Sequence, residues 1–136
     1  MTTVNRTGEE LAEDLLHSVG SEGFRAATRL LGAHRDGWWL RRLLAEEAGL
    51  SQAAGQPVIN RESSRPWVDW DALGLLLLDS PWALKASASE MAMLEVATSL
   101  AGAHRVQLRK AVDVVSAGEL RLILRAMEEA AYGEVR

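Results

Sequence analysis

The sequence predicts an all-α fold, and three observations carry that expectation. Apolar residues recur at helical spacing along most of the chain, no comparable stretch alternates with period two, and three capping boxes punctuate the pattern. The densest apolar run, Leu73 with Leu75 to Leu78, lies in Pro66–Trp82, which also holds three of the five tryptophans. It is too short to span a bilayer, so it reads as a buried central helix over about 69–78 with six or seven helices packed around it.

Taken in order, residues 1–6 carry no structural signal and are expected to be disordered. Thr7 and Glu10 form the first capping box, opening a helix with Leu11, Leu15, Leu16 and Val19 on one face and Gly20 as its stop. Ser21 caps a second helix with Phe24, Ala27, Leu30 and Leu31 inward and Gly32 as the stop. Asp36 is expected to cap a third, striped by Trp39, Leu40, Leu43 and Leu44 and closed by Ala48-Gly49-Leu50 as a Schellman stop. Residues 51–65 read as a long loop, with Gly55 and Pro57 breaking the pattern and Val58-Ile59 able to pin it to the core. The chain thus reads as one domain over 7–134, with helical sets 7–50 and 66–134.

Asp69 reads as the N-cap of the central helix, Asp71 as a first-turn anion favoured by the macrodipole, and Ser80-Pro81 as the stop. Ser87 and Glu90 form the second capping box, opening a helix with Met93, Leu94, Ala97, Leu100 and Ala101 inward and Gly102 as its stop. Val106–Val115 follows with Leu108, Ala111, Val112 and Val115 on one side. Ser116 and Glu119 form the third box, before a last helix with Leu120, Ile123, Leu124 and Met127 inward and a stop near Gly133. Residues 27–35, ATRLLGAHR, resemble residues 97–105, ATSLAGAHR; duplication of a helix-turn-helix unit would produce this, as would chance in a chain so rich in Ala and Leu.

Composition bounds the function. At 136 residues the chain is long enough to bury a core without staples, and its charge of −4 disfavours a broad grip on nucleic acid. With no cysteine there are no disulfides, thiolate chemistry or Cys-based zinc sites. The start of the chain lacks the basic, apolar pattern of a signal peptide, and no apolar run is long enough to cross a membrane; the expectation is a cytoplasmic protein with no membrane partner. The excess of Arg over Lys, with abundant Ala, Leu and Gly, is a composition typical of GC-rich bacterial or phage genomes.

Candidate chemistry is sparse. His17, His34 and His104 have no i, i+4 pair on one helix, so no metal is expected; His34 and His104 fall near helix C-termini, where a cation is mildly favoured. No serine sits in a nucleophile turn and no glycine-rich phosphate loop exists, so no catalytic residue or cofactor is nominated. Arg105, Arg109 and Lys110, with Arg121 and Arg125, read as a solvated basic face, with Arg125 placed to pair with Glu128 or Glu129.

Ala45, Gly49, Leu50 and Ser51, with Val58 at a later core position, resemble the first half of the helix-turn-helix of phage-repressor-like regulators. That resemblance implies a small DNA-binding transcriptional regulator, with Ser51 and Gln52, and the basic residues Arg105, Arg109 and Lys110, as nucleic-acid candidates. The second half departs from the family pattern: Gly55 replaces a buried aliphatic, and Pro57 would cost about 3 kcal/mol inside a recognition helix. Five tryptophans against one Phe and one Tyr weigh more. Trp38, Trp67 and Trp82 lie at the edges of their expected helices, where a large apolar ring with one donor suits an interface. The preferred expectation is therefore a non-enzymatic interaction module binding itself, plausibly as a homodimer, or another protein. A small-molecule pocket lined by Trp and Met within the bundle is the third reading.

Overall fold

The computed structural model describes residues 6–16 and 21–133. The chain is all-α: among the described residues eight α-helices carry the structure, joined by two 3-10 turns and one minimal strand pair. The helices are α1 (Gly8–Asp14), α2 (Glu22–Ala33), α3 (Trp38–Ala45), α4 (Glu47–Ala54), α5 (Trp70–Asp79), α6 (Ala88–Leu100), α7 (Leu108–Val114) and α8 (Ala117–Tyr132). Expectations for residues 1–5, for His17, Val19 and Gly20, and for residue 134 lie outside the described residues. Arg6, expected to be disordered, instead bonds Asp14 through two nitrogens at 2.7 and 3.1 Å.

Helix starts follow the local chemistry closely. In all three capping boxes, Thr7/Glu10, Ser87/Glu90 and Ser116/Glu119, both reciprocal bonds form. Ser21 accepts from the Phe24 amide and Asp69 from the Ala72 amide, as their places predict. Asp36 does not cap α3. Its Oδ1 instead accepts the Gly8 amide at 2.8 Å, tying α1 to the α2–α3 turn, and Gly37 in the left-handed conformation stands at the cap position.

The stretch around Gly49 departs most from expectation. The chain kinks at Glu46 and re-enters a helix, so Gly49 is an interior residue of α4 rather than a Schellman stop. The left-handed stop comes at Gly55, with φ 81°. The kink turns Leu50 inward to complete burial, a long-range gain that outweighs the weak helical propensity of glycine. A Cβ added at Gly49 would meet nothing within 4 Å outside its own helix backbone, so Gly49→Ala is expected to stabilise the fold by about 1 kcal/mol in urea denaturation. A loss would show that Gly49 is not helical.

The expected loop 51–65 is correspondingly shorter. Ile59–Asn60 (β1) pairs antiparallel with Trp67–Val68 (β2), with Ile59 opposite Val68 and Asn60 opposite Trp67. Val58, Ile59 and Val68 are buried, which anchors the hairpin. Ser51, inside α4, accepts the Val58 amide at 3.0 Å. The turn of the helix-turn-helix resemblance is thus not formed, because its Gly and Ser are helical and a hairpin follows instead of a recognition helix.

Buried side chains from α1 to α8 form one apolar cluster, with Trp39 and Trp70 its largest fully enclosed members. α2 runs through the assembly, packing on α1, α3, α6 and α8. α5 buries Trp70, Leu73, Leu76 and Leu77 but not its whole circumference: Leu75 and Leu78 face outward. Ser80-Pro81 ends α5, and a 3-10 turn over Pro81–Leu84 follows. Two further faces are rotated from expectation. In α7 only Ala111 is buried, leaving Leu108 and Val112 exposed; in α8 Glu119, Ile123 and Ala126 face inward, leaving Leu124 and Met127 exposed.

The two similar segments share a helix and a detail: Thr28 and Thr98 both bond the carbonyl four residues back. They diverge at the glycines. Gly32 lies inside α2, where a Cβ would come 2.6 Å from the Ala12 Cβ, whereas Gly102 has φ 84° and open space around it.

Candidate interaction surface

At 100° per residue, Asp71, Leu75, Leu78 and Asp79 fall within an arc of about 100° on α5, and Trp82 follows in the 3-10 turn just past the helix. This is the face that α5 turns away from the core. Leu75, Leu78 and Trp82 are 40%, 72% and 71% exposed. Neither Asp71 nor Asp79 has an ion-pair partner among the described residues. The stripe therefore carries two outward leucines, with Asp71 at its N-terminal end and Asp79 along one side.

The other expected partner-binding tryptophans are placed differently. Trp38 is half-buried edge-on against Trp39, their centroids 4.9 Å apart, with the Arg42 guanidinium 5.6 Å from its ring. Trp67 is half-buried beside Phe24 at 6.3 Å. Both extend the core outward, and Trp82 alone of the three presents most of its ring to solvent. Of the nucleic-acid candidates, Gln52 is exposed and Ser51 half-buried on α4, which packs on α5. Arg105, ahead of α7, and Arg109 and Lys110 on it are exposed; α7 packs on α6, and Arg109 is engaged by Asp113 at 3.1 Å. Arg125 does not hold Glu129, which instead receives Arg29 from α2 at 2.6 Å.

The largest buried polar group is one that sequence reasoning left divided. His34, enclosed at the end of α2, has its Nε2 at 2.7 Å from Glu119 Oε2 at the start of α8. Arg35 reaches Glu90 and lies 4.0 Å from Glu119, and the Trp39 indole donates to the Glu90 carbonyl at 2.8 Å. Two capping-box glutamates thus also lock α6 and α8 to the α2–α3 turn. The His34 Nδ1 is buried without a hydrogen-bond partner, and the pair joins the end of α2 to the start of α8. His104, its counterpart in the similar segment, is 3.6 Å from Glu95. No three metal-ligating side chains converge among the described residues.

Burial pushes the Glu119 carboxyl up, but the Ser116 amide and the His34 ring donate to it and hold it below the usual glutamate value of 4.5. The Ser87 amide, and less strongly Arg35, hold Glu90 down, outweighing its burial; the Thr7 amide and then Arg6 do the same for Glu10. A carboxylate with a depressed folded pKa stabilises fully above its unfolded value and loses that contribution as pH falls through the folded one. Stability is thus expected to be flat above pH 4.5 with respect to these groups and to fall below it. Glu119→Ala is expected to cost about 2 kcal/mol at neutral pH, because a charged, enclosed hydrogen-bond acceptor is lost. Urea denaturation across this pH range checks both, and an acid slope unchanged by Glu119→Ala would refute the assignment to Glu119.

Two hollows are formed by the described residues. A cleft of about 260 Å³ between α1, α2 and α8 has an alanine-rich floor and a charged rim of Glu9, Glu13, Arg29, Arg125 and Glu129. An open groove of about 670 Å³ lies over His34, Arg35 and the start of α8. Neither is lined by Trp or Met, unlike the small-molecule pocket expected inside the bundle. No helix among the described residues is long and apolar enough to cross a membrane. No protein-family model, curated protein or solved structure matches the chain.

Proposed function

We propose that the protein is a non-enzymatic interaction module that self-associates through the outward stripe of α5 and Trp82. The observation that supports this reading is the exposure of Leu75 and Leu78 on one face of α5, with exposed Trp82 just past its end and the unpaired carboxylates of Asp71 and Asp79 beside the leucines. Water would not select such a row. An exposed tryptophan in an apolar patch with polar residues around it matches the core and rim of an interface.

Sedimentation velocity over a range of concentrations tests the proposal. Wild-type mass is expected to rise with concentration, while Leu78→Asp with Trp82→Asp stays monomeric. Both side chains are exposed, so the double variant should keep its thermal stability within about 0.5 kcal/mol per site. A wild-type protein that stays monomeric throughout would overturn the reading.

A further inference from the structure

All nine large apolar side chains exposed among the described residues fall into two groups: three on the α5 stripe and six on α7 and α8. The second group has the opposite electrostatic character. On α8, Leu124 and Met127, 52% and 43% exposed, lie on one side with half-buried Leu120, and Arg121 and Arg125 run along the flank. Both arginines are exposed, and neither has an ion-pair partner among the described residues. Helical spacing places Glu128 and Glu129 beside Arg125, but Glu129 is engaged by Arg29 at 2.6 Å.

From this we infer, resting on the self-association proposed above, that the α5 stripe docks on the Leu124–Met127 face of α8 in a second copy. The occupant follows from charge. Two α5 stripes facing each other would bring four unpaired carboxylates together, whereas α5 against α8 sets Asp71 and Asp79 opposite Arg121 and Arg125. The lengths also match, since α5 from Asp71 to Asp79 and the face from Leu120 to Met127 extend about 12 and about 10 Å at helical rise. An exposed indole beside an arginine flank adds a cation–π partner for Trp82. Each copy then presents both faces on different helices, so the contact closes a two-fold dimer where it is reciprocal and builds a ring or an open chain where it is not.

A mixing experiment separates this arrangement from its competitors. Leu78→Asp with Trp82→Asp blocks the α5 face, and Leu124→Asp with Met127→Asp blocks the α8 face, all at exposed positions. In sedimentation velocity each double variant alone should be monomeric, while an equimolar mixture should give a species of twice the monomer mass. A charge pair tests the same contact without touching its apolar centre. Arg121→Glu with Arg125→Glu should weaken wild-type association, and adding Asp71→Arg with Asp79→Arg in the same chain should restore it. If the α8-blocked variant still associates alone while the α5-blocked one does not, the α5–α8 inference falls and self-association through α5 stands. A mixture that stays monomeric also overturns the inference, and a monomeric wild type overturns both.

Discussion

Trp39→Ala is expected to lower stability by about 4 kcal/mol, the range for emptying a fully enclosed aromatic site. Trp39 is completely buried, is packed by Trp38 at 4.9 Å, and has the Arg42 guanidinium 5.5 Å from its ring. Its indole N–H is also the donor to the Glu90 carbonyl at 2.8 Å, so truncation leaves that acceptor unpaired beside the cavity. A domain of this size holds about 5–15 kcal/mol in total, so the variant should remain folded at room temperature but melt about 15 °C lower. Trp39→Phe keeps much of the ring and loses the donor, and should fall between the two. Thermal and urea denaturation give the answer, and a loss below about 1.5 kcal/mol for the alanine variant would mean the site collapses without a cavity.

Gly8→Ala is expected to cost about 3 kcal/mol, a large effect for one methyl group. A Cβ at this position would run into the Gly32 carbonyl oxygen, the Asp36 carbonyl carbon and the Gly37 amide, all of them backbone. None can rotate away. Gly37 lies opposite with φ 77° and its own Cβ direction 2.8 Å from the Gly8 Cα, so α1 and the α2–α3 turn meet backbone to backbone. The Asp36 bond to the Gly8 amide would be stretched at the same time. The control is Gly49→Ala in α4, where the same methyl enters open space and should stabilise. Equal effects of the two substitutions would refute the close approach at Gly8.

The proposed surface shows how local signals and packing divide the information. Leu75 and Leu78 belong to the most apolar run of the chain and read as core, yet they point outward. A hint lay in the phase of the aspartates: Asp71 and Asp79 share an arc with Leu75 and Leu78, and a stripe that carries two carboxylates is the natural outer face. Trp82 was legible as an edge residue because Pro81 ends the helix before it. Trp38 and Trp67 carried the same signal, and only the positions of Trp39 and Phe24 made them part of the core margin.

What the sequence determined by itself is what nearest neighbours decide: the helical class, the three capping boxes, the caps at Ser21 and Asp69, the stop at Ser80-Pro81, and the inward faces of α2 and α6. Those features rest on bonds spanning a few residues, so the chain encodes them wherever they occur. Tertiary structure decided the rest. Gly49 stays helical because Leu50 is drawn into the core, and Asp36 leaves its cap because Gly8 needs an acceptor. α8 turns Glu119 inward because His34, 85 residues away in sequence, meets it there, and that rotation exposes Leu124 and Met127. Each outcome depends on a partner distant along the chain. Periodicity can mark an apolar stripe, but which stripe meets the core is settled only when the other helices arrive.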